Sequence, residues 1–498
     1  MDGQTGQGFE TAPGRARRIG LAAGALLFAL LLALPAPAGL DPAGWRCAAV
    51  AALMAVWWIS EAIPIPATAL LPLALFPVLG VAPIDAAAPP YANPIVFLFM
   101  GGFLLAIGMQ RWHLHRRIAL SVVLLVGTSP RRIVLGFLLA TAFLSMWVSN
   151  TATAMMMLPI GVSVTALLHD DADPRLRRNF GIGLALAIAY GANVGGLGTL
   201  IGTPPNALLA GFFGETYGHE IGFAQWMAFG VPMVLLGLPL VYAALLWSYP
   251  FRGLALAGGG DLIRDELRAL GRPSRPEIAV AVVFLLVAAA WIAGPLLSGL
   301  VPGLSDAGVA MAGALALFLI PAGRGHGAVL DWRSAERLPW GVLILFGGGL
   351  SLADAIRRTG LADYIGSLLG GLSGLPVVAV ILAVAVTILL LTEMTSNTAT
   401  AAAFLPITAS LALGLGENPL LLSVAAALAA SCAFMLPVGT PPNAIVFGSG
   451  LVTLPQMARA GVVLNLVFAA LITLLCYLLL PVVFGVAFGE VPGWAAGA

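Results

Sequence analysis

The sequence predicts an all-α polytopic membrane protein: about eleven transmembrane helices and two re-entrant hairpins, arranged as an inverted repeat. Three observations lead there. Of the 498 residues, 60% are hydrophobic and only 9% charged, whereas a soluble chain carries about 25% charged residues. The string Ser149-Asn150-Thr151-Ala152-Thr153-Ala154 returns 247 residues later as Ser396-Asn397-Thr398-Ala399-Thr400-Ala401. A second string is also duplicated, as Gly202-Thr203-Pro204-Pro205-Asn206-Ala207 and Gly439-Thr440-Pro441-Pro442-Asn443-Ala444.

Taken in order, residues 1–18 are polar and end in Arg15, Arg17 and Arg18, and 19–34 are apolar. This start resembles a signal peptide. A second span follows almost at once, so retention as a first transmembrane helix is the expectation, with the N-terminus inside. Residues 46–60 and 64–81 span next, joined through Glu61 and the prolines 64 and 66. Glu61 is a lone acid in apolar surroundings and is read as capping or bracing this break. Residues 94–110 form a further span containing Met100-Gly101-Gly102-Phe103.

Residues 133–168 are too long for one span and too short for two, with polar residues at the middle. Both flanks carry arginine, so this segment reads as a hairpin that enters and leaves on one side, with its tip at Ser149-Asn150-Thr151. Residues 181–200 span and then break at Gly202-Thr203-Pro204-Pro205, where proline lacks the N–H needed to continue a helix. After the span 226–247, residues 261–270 form an amphipathic helix with Ile263, Leu267 and Leu270 on one face. It is expected to lie on the membrane surface.

The second half repeats these features. Spans 278–297 and 307–320 precede 340–355, where Phe346-Gly347-Gly348-Gly349 echoes residues 100–103. A hairpin at 375–413 follows, then a break at Gly439-Thr440-Pro441-Pro442 and a last span at 458–486. The domains are therefore an N-terminal tail and first helix (1–45), a first repeat (46–250) with hairpin 133–168, a cytoplasmic linker (251–277), and a second repeat (278–498) with hairpin 375–413.

All 23 basic residues are arginine, and the positive-inside rule places them mostly in cytoplasmic loops, among them Arg324, Arg333 and Arg337. The first hairpin then enters from the cytoplasm and the second from outside. Inverted repeats with broken helices are the mark of secondary transporters, whose site lies at the repeat interface.

Ser, Asn and Thr cap helix N-termini, so each hairpin tip presents a positive helix end, an amide and hydroxyls to an oxyanion. Two such tips suit an anion with two acidic ends. The unwound breaks free backbone carbonyls, which join Ser, Thr and Asn oxygens into a cage for a hard cation. Ser145 and Thr392 stand one turn before Ser149 and Ser396 and add a second hydroxyl to each hairpin. Residues 133–174, 179–251 and 359–458 hold no arginine. A buried dianion there needs compensation that helix ends supply only in part, about half a charge each. Cation-coupled anion uptake follows.

Glu393, beside Thr392, is read as a proton-coupling carboxylate or as a brace of the hairpin, and the brace is preferred. His113, His115, His169, His219 and His326 show no ligand spacing, and Cys47, Cys432 and Cys476 show no disulfide framework. The chain has no basic run for nucleic acid and no nucleophile–base pair or metal cluster for an enzyme. A channel would not need two inverted hairpins around a closed site.

The paired Ser-Asn-Thr tips, the paired Gly-Thr-Pro-Pro-Asn breaks and Trp57-Trp58-Ile59-Ser60-Glu61-Ala62-Ile63-Pro64 resemble the divalent anion/sodium symporter (DASS) family, over nearly the whole chain from about residue 45. The resemblance implies an elevator-type homodimer of the ion-transporter superfamily kind, with Na+ as coupling ion. Carried over, the first sodium site is Ser145, Ser149, Asn150 and Gly202, and the second is Thr392, Ser396, Asn397 and Gly439. The resemblance also implies that substrate carboxylates meet Asn150, Thr151, Asn397 and Thr398, with Thr203 and Thr440 close by. Position 392 departs mildly, since it is Thr where its counterpart 145 is Ser. The expected activity is sodium-coupled uptake of C4-dicarboxylates such as succinate, malate and fumarate across a bacterial-type inner membrane. The alternatives are a sodium-independent exchanger and a symporter for sulfate or citrate.

Overall fold

The computed structural model describes residues 14–496 except 169–172, 255–258, 298, 324–326 and 370–374. The N-terminal tail before Gly14, His169 and the acidic residues after it, Arg324 and His326 lie outside the described residues. What is described is helical, with one isolated bridge between Pro321 and Ala328.

The first half runs α1 (Arg15–Ala33), α2 (Pro42–Ser60), α3 (Ile65–Thr68), α4 (Leu71–Leu79), α5 (Ile84–Ala87), α6 (Pro94–Arg111) and α7 (Leu114–Val126). It continues with the hairpin α8 (Pro130–Ser145) and α9 (Asn150–Ala166), then α10 (Pro174–Gly195), α11 (Pro204–Tyr217) and α12 (Phe223–Ser248). The linker helix is α13 (Gly259–Ala269). The second half runs α14 (Arg275–Ile292), α15 (Gly294–Leu297), α16 (Asp306–Leu319), α17 (Trp332–Ala335), α18 (Trp340–Arg358) and α19 (Leu361–Leu369). Its hairpin is α20 (Val377–Thr392) and α21 (Asn397–Gly414), followed by α22 (Pro419–Ala430), α23 (Pro441–Gly448) and α24 (Leu454–Phe484).

The two halves thus share one order: a Gly-rich span, a short helix, a hairpin, a broken helix and a long helix. Many starts are set by proline, which fits the first helical position because the N–H it lacks has no partner there. α2, α6, α8, α10, α11, α22 and α23 all begin this way. Seven helices among the described residues are long and apolar enough to cross a membrane, and α16, α20 and α22 are shorter apolar helices.

The repeated glycines make close packing seams. A Cβ on Gly101 would stand 2.6 Å from Ala310 Cβ, so α6 and α16 touch nearly backbone to backbone. A Cβ on Gly348 would stand 2.2 Å from Ala69 O, which seats α18 against the end of α3. Small residues at helix crossings allow this approach.

Glu61 is exposed and ends α2 in the left-handed region, at φ 47°. It marks the break by backbone conformation, and among the described residues its side chain makes no hydrogen bond.

The linker helix corrects one expectation. Ile263 is fully buried, and Leu262 and Leu267 pack beside it, on α7 rather than toward lipid. One ion pair fastens this contact, and a second ties α7 to the start of α14. Arg116 pairs with Glu266, and Arg117 pairs with the buried Glu277 at 2.5 Å. Arg117 also donates to Gly271 O. The apolar face that reads as a membrane face in the sequence is a protein–protein seam inside the chain.

Candidate functional site

Each hairpin turns in four residues, 146–149 and 393–396, and starts its second arm at Asn150 or Asn397. Ser149 is the N-cap of α9, and its Oγ accepts from Ala152 N at 3.4 Å. Ser396 is the N-cap of α21. Thr151 and Thr398 follow in the first turns, both partly exposed.

The two asparagines do the same thing in both halves. The amide end of Asn397 lies 2.8 Å from Gly439 O, 2.9 Å from Thr392 Oγ1 and 3.0 Å from Ala430 O. The amide end of Asn150 lies 3.2 Å from Gly202 O and 3.2 Å from Ala192 O, and it touches Ser145 Oγ. Each amide therefore meets the hydroxyl that ends the first hairpin arm, the carbonyl of the glycine in the break, and a carbonyl from the helix before the break. With its nitrogen turned inward, the amide donates to these oxygens. With its oxygen turned inward, four oxygens converge, which is the donor set of a hard monovalent cation. No space is left for a side chain beside the first cluster, because a Cβ on Gly196 would lie 2.8 Å from Asn150 Oδ1.

Ser145 and Thr392 are fully buried. Thr392 also donates to Ala430 O at 2.7 Å. Ser149 and Ser396 stand at the caps of the same hairpins.

Thr203 and Thr440, expected close to the substrate, lie in the breaks. Both are buried and cap the second halves of the broken helices. Thr203 Oγ1 lies 3.3 Å from Ser431 Oγ of the other half. Thr440 Oγ1 accepts from Asn193 Nδ2 at 3.1 Å, again across the halves. Asn193 also donates to Ala433 O at 3.2 Å. The two breaks are thus laced back to back, so the two oxygen clusters are built on one joint.

Three further groups carry the site. Asn206 Nδ2 donates to Gly196 O, Leu197 O and Thr199 O, and Asn443 Nδ2 donates to Ala433 O and Leu436 O. They gather the carbonyls that unwinding released, so part of the freed set is tied up. Both asparagines belong to the duplicated strings, so the signal for them lay in the repeat. Ala192 and Ala430 supply carbonyls, and nothing in an alanine side chain announces that role.

Glu393 is the third group. It is buried, and its carboxylate accepts from Phe434 N (2.8 Å), Met435 N (2.9 Å), Leu436 N (2.9 Å) and Asn465 Nδ2 (2.8 Å). Four donors meet a group that only accepts. This ties the hairpin to the second break and to α24, and it sets a negative charge beside Gly439. The counterpart in the first half is Met146, where Thr199 Oγ1 donates to the backbone oxygen at 2.5 Å.

Among the described residues no cluster of three His, Cys, Asp or Glu side chains stands ready for a metal.

The chain matches the family model described as the sodium:sulfate symporter transmembrane region over residues 16–486. It is 46% identical over 478 residues to the sodium-dependent dicarboxylate transporter SdcS of Staphylococcus saprophyticus, covering 94% of this chain and 92% of that one. The SdcS protein of Staphylococcus aureus is 44% identical over 483 residues, covering 95% and 93%. Two solved structures are similar in fold. The YdaH transporter of Alcanivorax borkumensis has a TM-score of 0.56 at 16% identity, covering 78% of this chain and 86% of that one. MtrF of Neisseria gonorrhoeae has a TM-score of 0.58 at 13% identity, covering 93% and 96%.

Proposed function

The chain belongs to the divalent anion/sodium symporter family, whose model carries the sodium:sulfate symporter description, and on that premise we propose that it takes up a C4-dicarboxylate together with sodium ions. The observation that carries this is the doubled amide geometry, with Asn150 and Asn397 each set against one hydroxyl and two backbone carbonyls. Ser145, Asn150, Gly202 and the Ala192 carbonyl would hold one sodium ion, with Ser149 at the cap. Thr392, Asn397, Gly439 and the Ala430 carbonyl would hold the other, with Ser396 at the cap. The substrate carboxylates would meet the first turns of α9 and α21 at Asn150, Thr151, Asn397 and Thr398. Thr203 and Thr440 would act by fixing the breaks from behind.

Charge explains the coupling. The residues around the tips carry no cationic side chain, so two sodium ions beside the tips would offset the dianion, and neither would be stable there alone. Glu393 would favour the ion at Gly439. Carrying both cages on one laced joint suits movement as a unit, and hence an elevator mechanism in a homodimer. We place the protein in a bacterial-type inner membrane with the N-terminus and the α13 linker on the cytoplasmic side.

The test is labelled succinate uptake into proteoliposomes under an inward sodium gradient, and again with potassium replacing sodium. Uptake that needs sodium and is blocked by excess malate or fumarate is expected. Uptake indifferent to sodium but driven by trapped dicarboxylate would make this an exchanger. Sulfate uptake without succinate uptake would overturn the substrate assignment.

A further inference from the structure

Away from the hairpin tips, a cavity of about 710 Å³ opens among the first turns of α10 and α24 and the last turn of α12. Arg175, Arg178 and Arg459 line it, one pair from the first half of the chain and the third from the second. Its lining includes no carboxylate. Five other arginines in the connecting segments are matched. Arg111 holds Asp331, Arg116 holds Glu266, Arg117 holds Glu277, Arg264 holds Asp261 and Arg268 holds Asp265. Among the described residues, Arg175, Arg178 and Arg459 pair with no acid. The adjacent Asp173 directs a carboxylate oxygen to Arg175 N, at 2.8 Å, as the cap of α10.

Two more features point to an anionic guest. α10 and α24, of 22 and 31 residues, both begin at the cavity, so two positive helix ends add to the three guanidinium groups. Ser248, on the cavity wall, is only 4% exposed, and its Oγ has no hydrogen-bond partner. A buried hydroxyl without a partner is costly, and an oxyanion would satisfy it.

The surface leading away from the cavity identifies the guest further. Leu236, Leu240, Ala243 and Trp247 are exposed on one face of α12, at i, i+4, i+7 and i+11. They form an apolar track about 16 Å long at 1.5 Å per residue, close to half of a hydrocarbon core of about 30 Å. Trp247, 71% exposed, stands where the track meets the cavity, the level at which tryptophan marks a membrane interface.

We propose that this cavity holds the phosphate of an anionic phospholipid from the arginine-rich leaflet, with an acyl chain along the α12 track. The headgroup joins α10 and α12 of the first half to α24 of the second. It does so at the opposite end of α10 from the Ala192 carbonyl.

The test uses the full chain purified in non-ionic detergent, with native mass spectrometry counting retained phosphatidylglycerol and phosphatidylcholine. The wild type is expected to prefer phosphatidylglycerol, by about fivefold for each arginine. Arg175→Gln/Arg178→Gln/Arg459→Gln loses the preference, and Arg131→Gln/Arg132→Gln keeps it. Ser248→Ala leaves the charge unchanged yet weakens retention severalfold, which a diffuse surface attraction would not do. If the triple variant fails to fold, Arg459→Gln and Ser248→Ala carry the same comparison. Equal retention of both lipids, or an unchanged preference in the variants, overturns the proposal. Displacement of the lipid by inorganic phosphate at equal concentration makes this a free-anion site and overturns the lipid assignment. Lipid retention is read without transport, so neither result depends on the proposed activity.

Discussion

Asn193 donates to Thr440 Oγ1 at 3.1 Å across the boundary between the two halves, and Ser431 meets Thr203 at 3.3 Å in return. The residues are related by the repeat. Asn193 follows Ala192, whose carbonyl faces Asn150, and Ser431 follows Ala430, whose carbonyl faces Asn397. One residue in each helix serves its own hairpin and the next serves the opposite break. The inverted repeat is therefore written into single hydrogen bonds as well as helix order.

Asn193→Ala removes donors to three groups, Thr440, Asn443 and Ala433, and leaves their acceptors short of a partner in the interior. A loss of about 1–3 kcal/mol is expected, read as a lower thermal unfolding midpoint in detergent. Sodium dependence should weaken as well, because both cages rest on this joint.

Asn150→Ala and Asn397→Ala each delete the amide that completes a cage. Both proteins should insert and fold, and both should lose sodium-driven succinate uptake. Full transport by both at ordinary substrate concentration would remove these residues from the site.

Gly196→Ala places a methyl group 2.8 Å from Asn150 Oδ1. The sodium concentration for half-maximal uptake should rise tenfold or more, a large part of the few kcal/mol that such a clash costs. Unchanged sodium activation would show that the first cage does not form around this amide.

Glu393→Gln turns an acceptor-only group into one that presents an N–H to a nest of four N–H donors. About 1–3 kcal/mol of stability should be lost, with the 431–440 break becoming more open to hydrogen exchange. Met146 has no such task, so Met146→Leu should change neither readout.

Arg117→Gln strands the buried Glu277 carboxylate and should cost about 3–5 kcal/mol. Limited proteolysis within 251–277 should accelerate as α13 loosens from α7. Arg117→Gln combined with Glu277→Gln should recover much of the loss.

The duplicated strings made the fold readable because a repeat is visible without any knowledge of contacts. Two tips, two breaks and their order along the chain located both hairpins and both broken helices, but the prolines mark where α11 and α23 restart, while the unwinding begins earlier, after Gly195 and Ala430. Ser145 and Thr392 stand out in the sequence as hydroxyls near the tips, but they end the first arms of the hairpins, so the turn and not helical spacing brings them to Asn150 and Asn397. Ala192 and Ala430 were not, since a backbone carbonyl belongs to every residue and only the path of the chain selects which one faces inward. The family resemblance places Thr203 and Thr440 close to the substrate, and only the packing shows that each also hydrogen-bonds to the opposite half. The α13 helix shows the same limit. Its amphipathic spacing demands an apolar partner, and the sequence alone does not say whether lipid or α7 supplies it. Composition and repetition therefore determined the class, the order of elements and the polar islands, because these depend on local periodicity and on the cost of polar groups in hydrocarbon. Which oxygens converge, which asparagines meet carbonyls of their own break and which reach the other half, and where the arginines remain without a carboxylate were decided by tertiary structure, because each depends on groups far apart in sequence meeting within about 3 Å.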